Sequence, residues 1–139
     1  WICRIRYAVM RMEPVKITNI SRKYHYTIYD RTRQIGEITY KIHGKYVIVG
    51  HLFISHEYRN LGYGYLVVEY LMKKYKTKYI VGETLIASRG FWHKCTKKYD
   101  GMRKNMHYCD NCSSAFIIPK TKIEDAKLWE LLEVAYSID

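Results

Sequence analysis

The segment Arg59-Asn60-Leu61-Gly62-Tyr63-Gly64 constrains the fold of this chain more than any other stretch. It lies between an apolar, strand-like run over 46–55 and a helix-like run over 65–75. Glycines between a strand and a helix let backbone N–H groups approach a ligand, because no side chain intervenes. The positive end of the helix dipole lies at the same place and favours a phosphate or pyrophosphate. The motif R-x-x-G-x-G, in this position, therefore predicts an anion site at a strand-to-helix turn.

Length, composition and charge limit the class of protein. The 139 residues suffice for one domain with its own core, and we expect a single domain over 1–139. Apolar residues make up 48% and charged residues 27%, which is typical of a globular protein rather than a disordered one. Lys and Arg outnumber acidic residues by 24 to 13, giving a net charge of +11. That charge attracts anionic ligands such as coenzyme phosphates, nucleic acid or acidic proteins, although a lysine-rich surface can serve solubility alone.

We expect neither a targeting segment nor a membrane-spanning segment in this sequence. No stretch has the apolar length of a membrane helix, and the first residues lack the layout of a secretory signal. We therefore expect a cytoplasmic protein without membrane contact. In that compartment cysteines are expected as thiols. The four are Cys3, Cys95, Cys109 and Cys112.

Strand patterns dominate the first half of the chain. β-Forming residues and alternation predict a strand or arm over 1–9 and strands over 25–29, 35–42 and 46–55. His43-Gly44-Lys45 is typical of a hairpin turn between the last two of these. The run over 46–55 is almost continuously apolar, which indicates a strand buried on both faces. The polar region 16–23 predicts a connection of undefined form.

Helices alternate with strands in the second half. The patterns predict helices over 65–75 and 88–98, a strand over 79–82, and a hairpin with its turn at Asp110-Asn111, between strands over 106–109 and 113–118. Ser88 is placed to cap the second helix, and Thr121-Lys122-Ile123-Glu124 forms a capping box for a last one. The order predicts an α/β (α+β) domain. Its mixed, mostly antiparallel central sheet is flanked by helices and followed by a C-terminal hairpin and helix.

Two further stretches carry a resemblance to a known family. Residues 52–59, Leu-Phe-Ile-Ser-His-Glu-Tyr-Arg, resemble the passage from the fourth strand into the coenzyme loop of the GNAT superfamily of acetyl-CoA-dependent N-acetyltransferases. Residues 88–94, Ser-Arg-Gly-Phe-Trp-His-Lys, resemble that family's helix segment A-x-x-F-[YW]-x-K. One helix and one short strand separate the two stretches, as in the family. The resemblance is specific from about Gly36 to Lys94 and only architectural elsewhere.

The resemblance implies acetyl-CoA as the coenzyme. In such a protein the loop amides hold the pyrophosphate, and the main chain of Phe53 and Ile54 contacts the pantetheine arm. The amide near Phe53 would polarise the thioester carbonyl. The predicted cofactor-binding residues are Phe53, Ile54, Arg59, Asn60, Leu61, Gly62, Tyr63, Gly64, Ser88 and Trp92. The alternative is a solvated glycine turn without a ligand.

The chain also departs from the family pattern. Many members end the later helix segment with K-x-G-[FY], whereas no glycine follows Lys94 until Gly101. Trp92 stands where many members have a tyrosine that protonates the departing thiolate, and an indole is no useful acid. Tyr99 is the candidate acid from the altered loop. Its alternative role is packing.

Acetylating an amine requires the neutral form, since an ammonium group has no lone pair. His51, on the strand before the loop, is the first candidate for the general base because histidine titrates near neutral pH. The alternative is a histidine satisfied by the sheet edge or by a neighbouring carboxylate. Glu37, on the preceding strand, is the candidate for orienting the cationic amine.

Cysteine and histidine residues near the C-terminal hairpin invite a zinc hypothesis. The set is Cys95, His107, Cys109 and Cys112. A closed zinc site usually has two well-spaced ligand pairs, and here there is one C-x-x-C. Asp110-Asn111 between these cysteines is typical of a hairpin turn, so we predict no metal.

A basic and aromatic cluster remains without a defined partner. Its members are His93, Lys94, Lys97, Lys98, Arg103 and Lys104, with Tyr99 and Tyr108 nearby. Nucleic-acid binders use such mixtures, but the cluster can equally serve the acidic coenzyme or solvation.

The sequence thus predicts transfer of an acetyl group from acetyl-CoA to a primary amine by a monomer or homodimer. The basic charge disfavours polyamines and favours an amine on a protein or on a nucleic-acid-linked group. The alternative is a non-catalytic module of the same fold that binds nucleic acid or an acidic protein through its basic face.

Overall fold

In the part of the chain that the structure describes, a seven-stranded sheet forms the centre. The computed structural model describes residues 10–14, 23–85, 88–105 and 112–136. The strands are β1 (Met10–Pro14), β2 (Lys23–Asp30), β3 (Arg33–His43), β4 (Tyr46–Ile54), β5 (Tyr79–Leu85), β6 (Met102–Asn105) and β7 (Cys112–Pro119). Their order is β1-β2-β3-β4-β5-β7-β6. Neighbouring strands in the sheet are antiparallel except for β4 and β5, which are parallel. The predicted mixed, mostly antiparallel sheet is confirmed.

Helices cover the two faces of the sheet unequally. They are α1 (Tyr63–Lys74), α2 (Arg89–Lys98) and α3 (Asp125–Tyr136), and a 3₁₀ turn over His56–Tyr58 precedes α1. Helices α1 and α2 share one hydrophobic cluster with strand residues such as Val49 and Phe116, and we call this side the front face. Helix α3 packs on Val81 and Ile117 of the opposite, back face. None of the helices in the described segments combines the length and apolar character that crossing a bilayer takes.

The structure corrects several predicted boundaries. Helix α3 begins at Asp125, because Leu128 N–H donates to the Glu124 carbonyl, so the predicted capping box at Thr121 is wrong. The structure has an antiparallel pair of β6 and β7 before the last helix, whereas the predicted strand over 106–109 lies outside the described residues. Ser88 lies at the N-cap of α2, yet its side chain makes no cap hydrogen bond. The arm over 1–9, most of 16–23 and the turn at Asp110-Asn111 lie outside the described residues.

Strand β4 is buried on both faces only in its first half. Tyr46, Val47 and Val49 are buried, whereas His51 and Phe53 are exposed. The change occurs at Gly50, where the register passes from Tyr40 opposite Val49 to Thr39 opposite His51. Gly50 is therefore the extra residue of a β-bulge. The continuous apolar pattern did not predict this change, because the bulge and the loss of a neighbouring strand expose the second half.

Candidate functional site

The sheet opens between its two parallel strands. Pairing of β4 with β5 runs from Tyr46 opposite Tyr79 to Val49 opposite Gly82, and the parallel register ends there. Strand β4 continues to Ile54 and β5 continues to Leu85. The resulting gap, bounded by residues 50–54 and 83–85, is named the β4–β5 cleft. Because α1 and α2 follow the carboxyl ends of these strands, their N-terminal turns lie at its mouth, where open α/β sheets bind ligands.

The bulge decides which backbone groups face the cleft. Ser55 N–H donates to the Ile35 carbonyl on β3 at 2.8 Å. The Phe53 carbonyl also points to β3, since a Cβ added to Gly36 would lie 2.1 Å from its oxygen. Backbone polar groups alternate sides along a strand, so those of Leu52 and Ile54 face the cleft. The backbone of Phe53 therefore faces β3, and its predicted contact with the coenzyme stays a prediction that this geometry disfavours.

The loop before α1 leaves the start of this helix open. Gly62 is the N-cap residue with φ 91°, a left-handed conformation that suits glycine, and Asn60 has φ 62°. The first intrahelical hydrogen bond runs from Leu66 N–H to the Gly62 carbonyl at 3.2 Å, and no side chain caps the helix. The amides of Gly64 and Tyr65 consequently have no acceptor within α1. These amides and the positive dipole end suit an anion, and we call this place the candidate anion site.

Arg59 holds a positive charge beside the candidate anion site. Its Nε donates to the Ile54 carbonyl at 2.8 Å, and its guanidinium carbon lies 5.4 Å from the centre of the Phe53 ring. The Ile54 carbonyl is therefore occupied, and only its N–H group remains to face the cleft. Arg59 itself is exposed, so its terminal nitrogens stay accessible to an anion.

Comparison with known proteins identifies the fold. No family model matches the sequence, and no curated protein matches it significantly. Solved structures match with TM-scores of 0.60 for the ribosomal-protein-S18-alanine N-acetyltransferase from Escherichia coli and 0.58 for a GNAT family acetyltransferase from Elizabethkingia anophelis with acetyl-CoA bound. The Escherichia coli enzyme is 9% identical to this chain, and the match covers 84% of this chain and 97% of that one. The Elizabethkingia anophelis protein is 14% identical, and the match covers 83% of this chain and 99% of that one. The chain has the GNAT fold.

A third neighbour has the same fold. It is a Bacillus subtilis acetyltransferase in complex with CoA, with a TM-score of 0.56 and 14% identity over 79% of this chain and 98% of that one. The predicted resemblance is thus confirmed for the fold. At these sequence identities the likeness shows the fold and assigns no role to any residue of this chain.

The back face of the GNAT sheet carries polar groups beside the cleft. His25 lies opposite Thr39, which lies opposite His51, so the three form one row across β2, β3 and β4. In the next row Glu37 lies opposite Phe53, and its Oε2 is 3.1 Å from His25 Nε2. The structure therefore brings the predicted His51 and Glu37 together at one edge of the cleft, on the face that α1 and α2 leave open.

Two other predicted residues lie elsewhere in the GNAT fold. Trp92 is 4% exposed and stacks on Phe116 with a centroid distance of 4.0 Å, so its side chain is part of the core. The Tyr99 hydroxyl donates to Glu69 Oε1 at 2.9 Å. Burial, followed by the hydrogen bond to Glu69, raises the pKa of Tyr99 above its usual value. That shift makes Tyr99 a poorer acid, and its assignment stays a prediction that its surroundings disfavour.

The zinc hypothesis is not decided by the fold. Cys95 is fully buried, and burial raises the pKa of its thiol to about 12. His107, Cys109 and the side chain of Cys112 lie outside the described residues. Within those ranges no three metal-binding side chains cluster.

Sequence reasoning missed two features of the site. The first is the β-bulge, which Gly50 could have indicated, because an isolated glycine inside a strand pattern often marks a bulge. The contact between His25 and Glu37 had no such signal, since it depends on the β2–β3 register.

Proposed function

We propose that this GNAT-fold chain binds acetyl-CoA and transfers its acetyl group to a primary amine. The observation that carries the proposal is the β4–β5 cleft, which opens onto the uncapped start of α1. Two structure neighbours support it, since their names state acetyl-CoA and CoA as bound molecules.

Different parts of the site would hold different parts of the coenzyme. The amides of Gly64 and Tyr65 and the charge of Arg59 suit its pyrophosphate. The inward-facing N–H groups of Leu52 and Ile54 offer strand-like hydrogen bonds to an extended amide chain such as pantetheine. Acetyl-CoA supplies the thioester. An N–H group of β4 beside the thioester oxygen would stabilise the negative charge that develops there.

The amine would approach from the back face, because α1 and α2 cover the front. Glu37 attracts and orients the ammonium form, and His51 takes the proton that leaves it. The amine nitrogen then forms a bond to the carbonyl carbon, the carbon–sulfur bond breaks, and the sulfur leaves with the electron pair. The nitrogen releases a second proton as the amide forms, and the departing thiolate takes up a proton to become the thiol. Holding amine and thioester together supplies much of the acceleration.

An amine on a macromolecule fits this surface better than a free polyamine. The net charge of +11 repels small polycations during encounter. Two acidic side chains lie at the cleft edge, Glu37 on β3 and the exposed Glu83 on β5, and they can attract the cationic amine locally. The Escherichia coli neighbour is named for an alanine of a ribosomal protein, which makes a protein N-terminus a suitable first acceptor to test.

Calorimetric titration with acetyl-CoA tests the coenzyme site. Gly62→Glu places a carboxylate at the candidate anion site, and Gly44→Glu is its matched control. Both glycines have positive φ, 91° and 56°, and a Cβ would meet nothing within 4 Å at either. We expect Gly62→Glu to weaken binding by more than about tenfold through charge repulsion and Gly44→Glu to bind as the parent does. Equal affinities of the two variants, or no binding by the parent, would contradict the proposal.

A second experiment separates an enzyme from a binding module of the same fold. Cell lysate is incubated with the protein and isotope-labelled acetyl-CoA, and acetylated peptides are identified by mass spectrometry. Label that appears with the parent but not with Gly62→Glu supports transfer. Tight coenzyme binding without any labelled product supports the non-catalytic alternative, which the lack of a well-placed acid among the described residues favours.

A further inference from the structure

Strand β6 forms one edge of the sheet. It pairs with β7 from Met102 opposite Ile117 to Asn105 opposite Ser114, and in the described segments no strand lies on its other side. Helix α2 contacts β6 on the front face and α3 contacts it on the back face. An edge strand between two helices presents a row of unpaired main-chain N–H and C=O groups.

Basic side chains line the front rim of this edge. Arg103 lies opposite Phe116, whose side chain belongs to the front cluster, so Arg103 points to the side of α2. Partial desolvation, then the charges of Arg103 and Lys97, lower the pKa of His93. His93, Lys97 and Arg103 therefore lie close together, and no ion pair within the described ranges neutralises them.

The back rim has a different character. Lys104 lies opposite Ala115 of the back cluster. Its Nζ is 4.7 Å from the centre of the Trp129 ring and 2.9 Å from Glu133 Oε1. Trp129 is 41% exposed, which is unusual for a large aromatic side chain. The back rim thus offers an aromatic surface whose nearest charges already pair with each other.

We propose that the outer edge of β6 binds an extended acidic segment of a partner protein by strand addition. Main-chain groups of the segment would pair with the open edge, as in other cases of β-augmentation. Side chains of a strand alternate between faces, so every second residue would face Arg103, Lys97 and His93, and the residues between would face Trp129. The edge therefore selects acidic side chains at one set of alternate positions and apolar ones at the other.

Charge argues against a second copy of this chain as the occupant. Antiparallel pairing of β6 with itself would bring Arg103 and Lys104 against the same two residues of the other copy. Like charges directly opposite each other destabilise strand pairs. Basic residues on an edge strand also prevent uncontrolled pairing, which restricts the edge to partners of negative charge. A nucleic acid shares that charge but has no peptide groups for the edge.

Three fluorescent probes test the proposal by anisotropy. The first is a seven-residue peptide of alternating Glu and Val, and the second has the same sequence with N-methyl groups on alternate backbone nitrogens. The third is a single-stranded RNA of twelve uridines. We expect the first peptide to bind in the micromolar range. The second, which keeps the charge but lacks the hydrogen-bond donors, should bind at least about tenfold more weakly.

Matched variants locate the binding surface. Arg103→Glu reverses the charge on the edge, and Lys76→Glu makes the same change of charge at an exposed position after α1. We expect Arg103→Glu to weaken binding of the first peptide by about tenfold and Lys76→Glu to change its affinity little. Circular dichroism checks that both variants are folded. Equal binding of both peptides, equal effects of both variants, absence of peptide binding, or tighter binding of the RNA would each overturn the proposal.

Discussion

Gly64 lies directly against the ring of Phe91, and a Cβ added to Gly64 would be 2.5 Å from the Phe91 Cε1. Gly64 is in the first turn of α1 and Phe91 is in the first turn of α2. The absence of a side chain at position 64 therefore brings the two helix starts together. Sequence reasoning assigned this glycine to ligand approach, whereas the contact shows that it also serves helix packing.

Gly64→Ala is expected to destabilise the protein. The added methyl group overlaps a ring that already packs on Tyr65, and overpacking of this kind costs about 1–3 kcal/mol. Gly90→Ala is the control, because a Cβ there meets nothing within 4 Å and alanine favours a helix by about 0.5–1 kcal/mol. Urea unfolding of both variants measures the difference. A Gly64→Ala variant as stable as the parent would mean that Phe91 moves without cost.

Arg59→Gln is expected to weaken acetyl-CoA binding by about tenfold at low salt, because a charge-assisted contact to a phosphate is lost. The effect should shrink as salt screens the interaction. Arg33→Gln removes the same charge at an exposed position of β3, outside the cleft, and should leave affinity unchanged. Titration calorimetry at two salt concentrations measures both. If Arg59→Gln and Arg33→Gln behave alike, Arg59 serves only to hold the Ile54 carbonyl.

The order of elements was predictable because each depends on local patterns. The alternation of β-forming residues predicted β2 and β3, and glycine residues predicted the turn into α1. The opening of the cleft was not predictable, since it depends on how far β4 and β5 remain paired. The sequence also did not show that the backbone groups of Leu52, and not those of Phe53, face the cleft. The single extra residue at Gly50 reverses which backbone groups face β5.

The proximity of some candidate site residues was predictable from strand alternation, and that of others was not. His51 and Glu37 share an edge of the cleft because neighbouring strands bring alternate residues into rows. Tyr99 could not be placed, because the contact of its hydroxyl with Glu69 depends on how α1 and α2 cross. Helix packing involves residues about 30 positions apart, and a local pattern does not encode such contacts.

Tyr99→Phe is expected to reduce stability more than activity. Loss of the hydrogen bond to Glu69 costs about 1 kcal/mol, since the carboxylate loses its donor in a half-buried place. Because the raised pKa of Tyr99 makes it a poor acid, the rate of acetyl transfer should stay within about threefold of the parent. Urea unfolding and initial rates with a peptide acceptor measure the two effects. A rate loss of about a hundredfold with unchanged KM would assign Tyr99 as the acid.

Alkaline pH is expected to destabilise the protein through Tyr40. Its side chain is buried, and its hydroxyl lies 2.5 Å from that of Tyr75. Burial first, then the hydrogen bond and charge interactions with Tyr75 and Tyr26, raise the pKa of Tyr40 in the folded state. The unfolded chain has the ordinary tyrosine pKa of about 10. Stability is therefore intact below that pH and falls as pH rises above it, because the unfolded state then releases the proton more readily.

Tyr40→Phe removes this ionisation. At pH 8 the variant should be about 1 kcal/mol less stable than the parent, because it lacks the hydroxyl contact. Between pH 10 and 11 its stability should fall less steeply, so the two curves converge. Tyr24→Phe is the control, since Tyr24 is 38% exposed and stacks on Tyr40 at a centroid distance of 5.3 Å. Urea midpoints measured from pH 8 to pH 11 give the slopes. Parallel curves for the parent and Tyr40→Phe would show that other groups cause the alkaline loss.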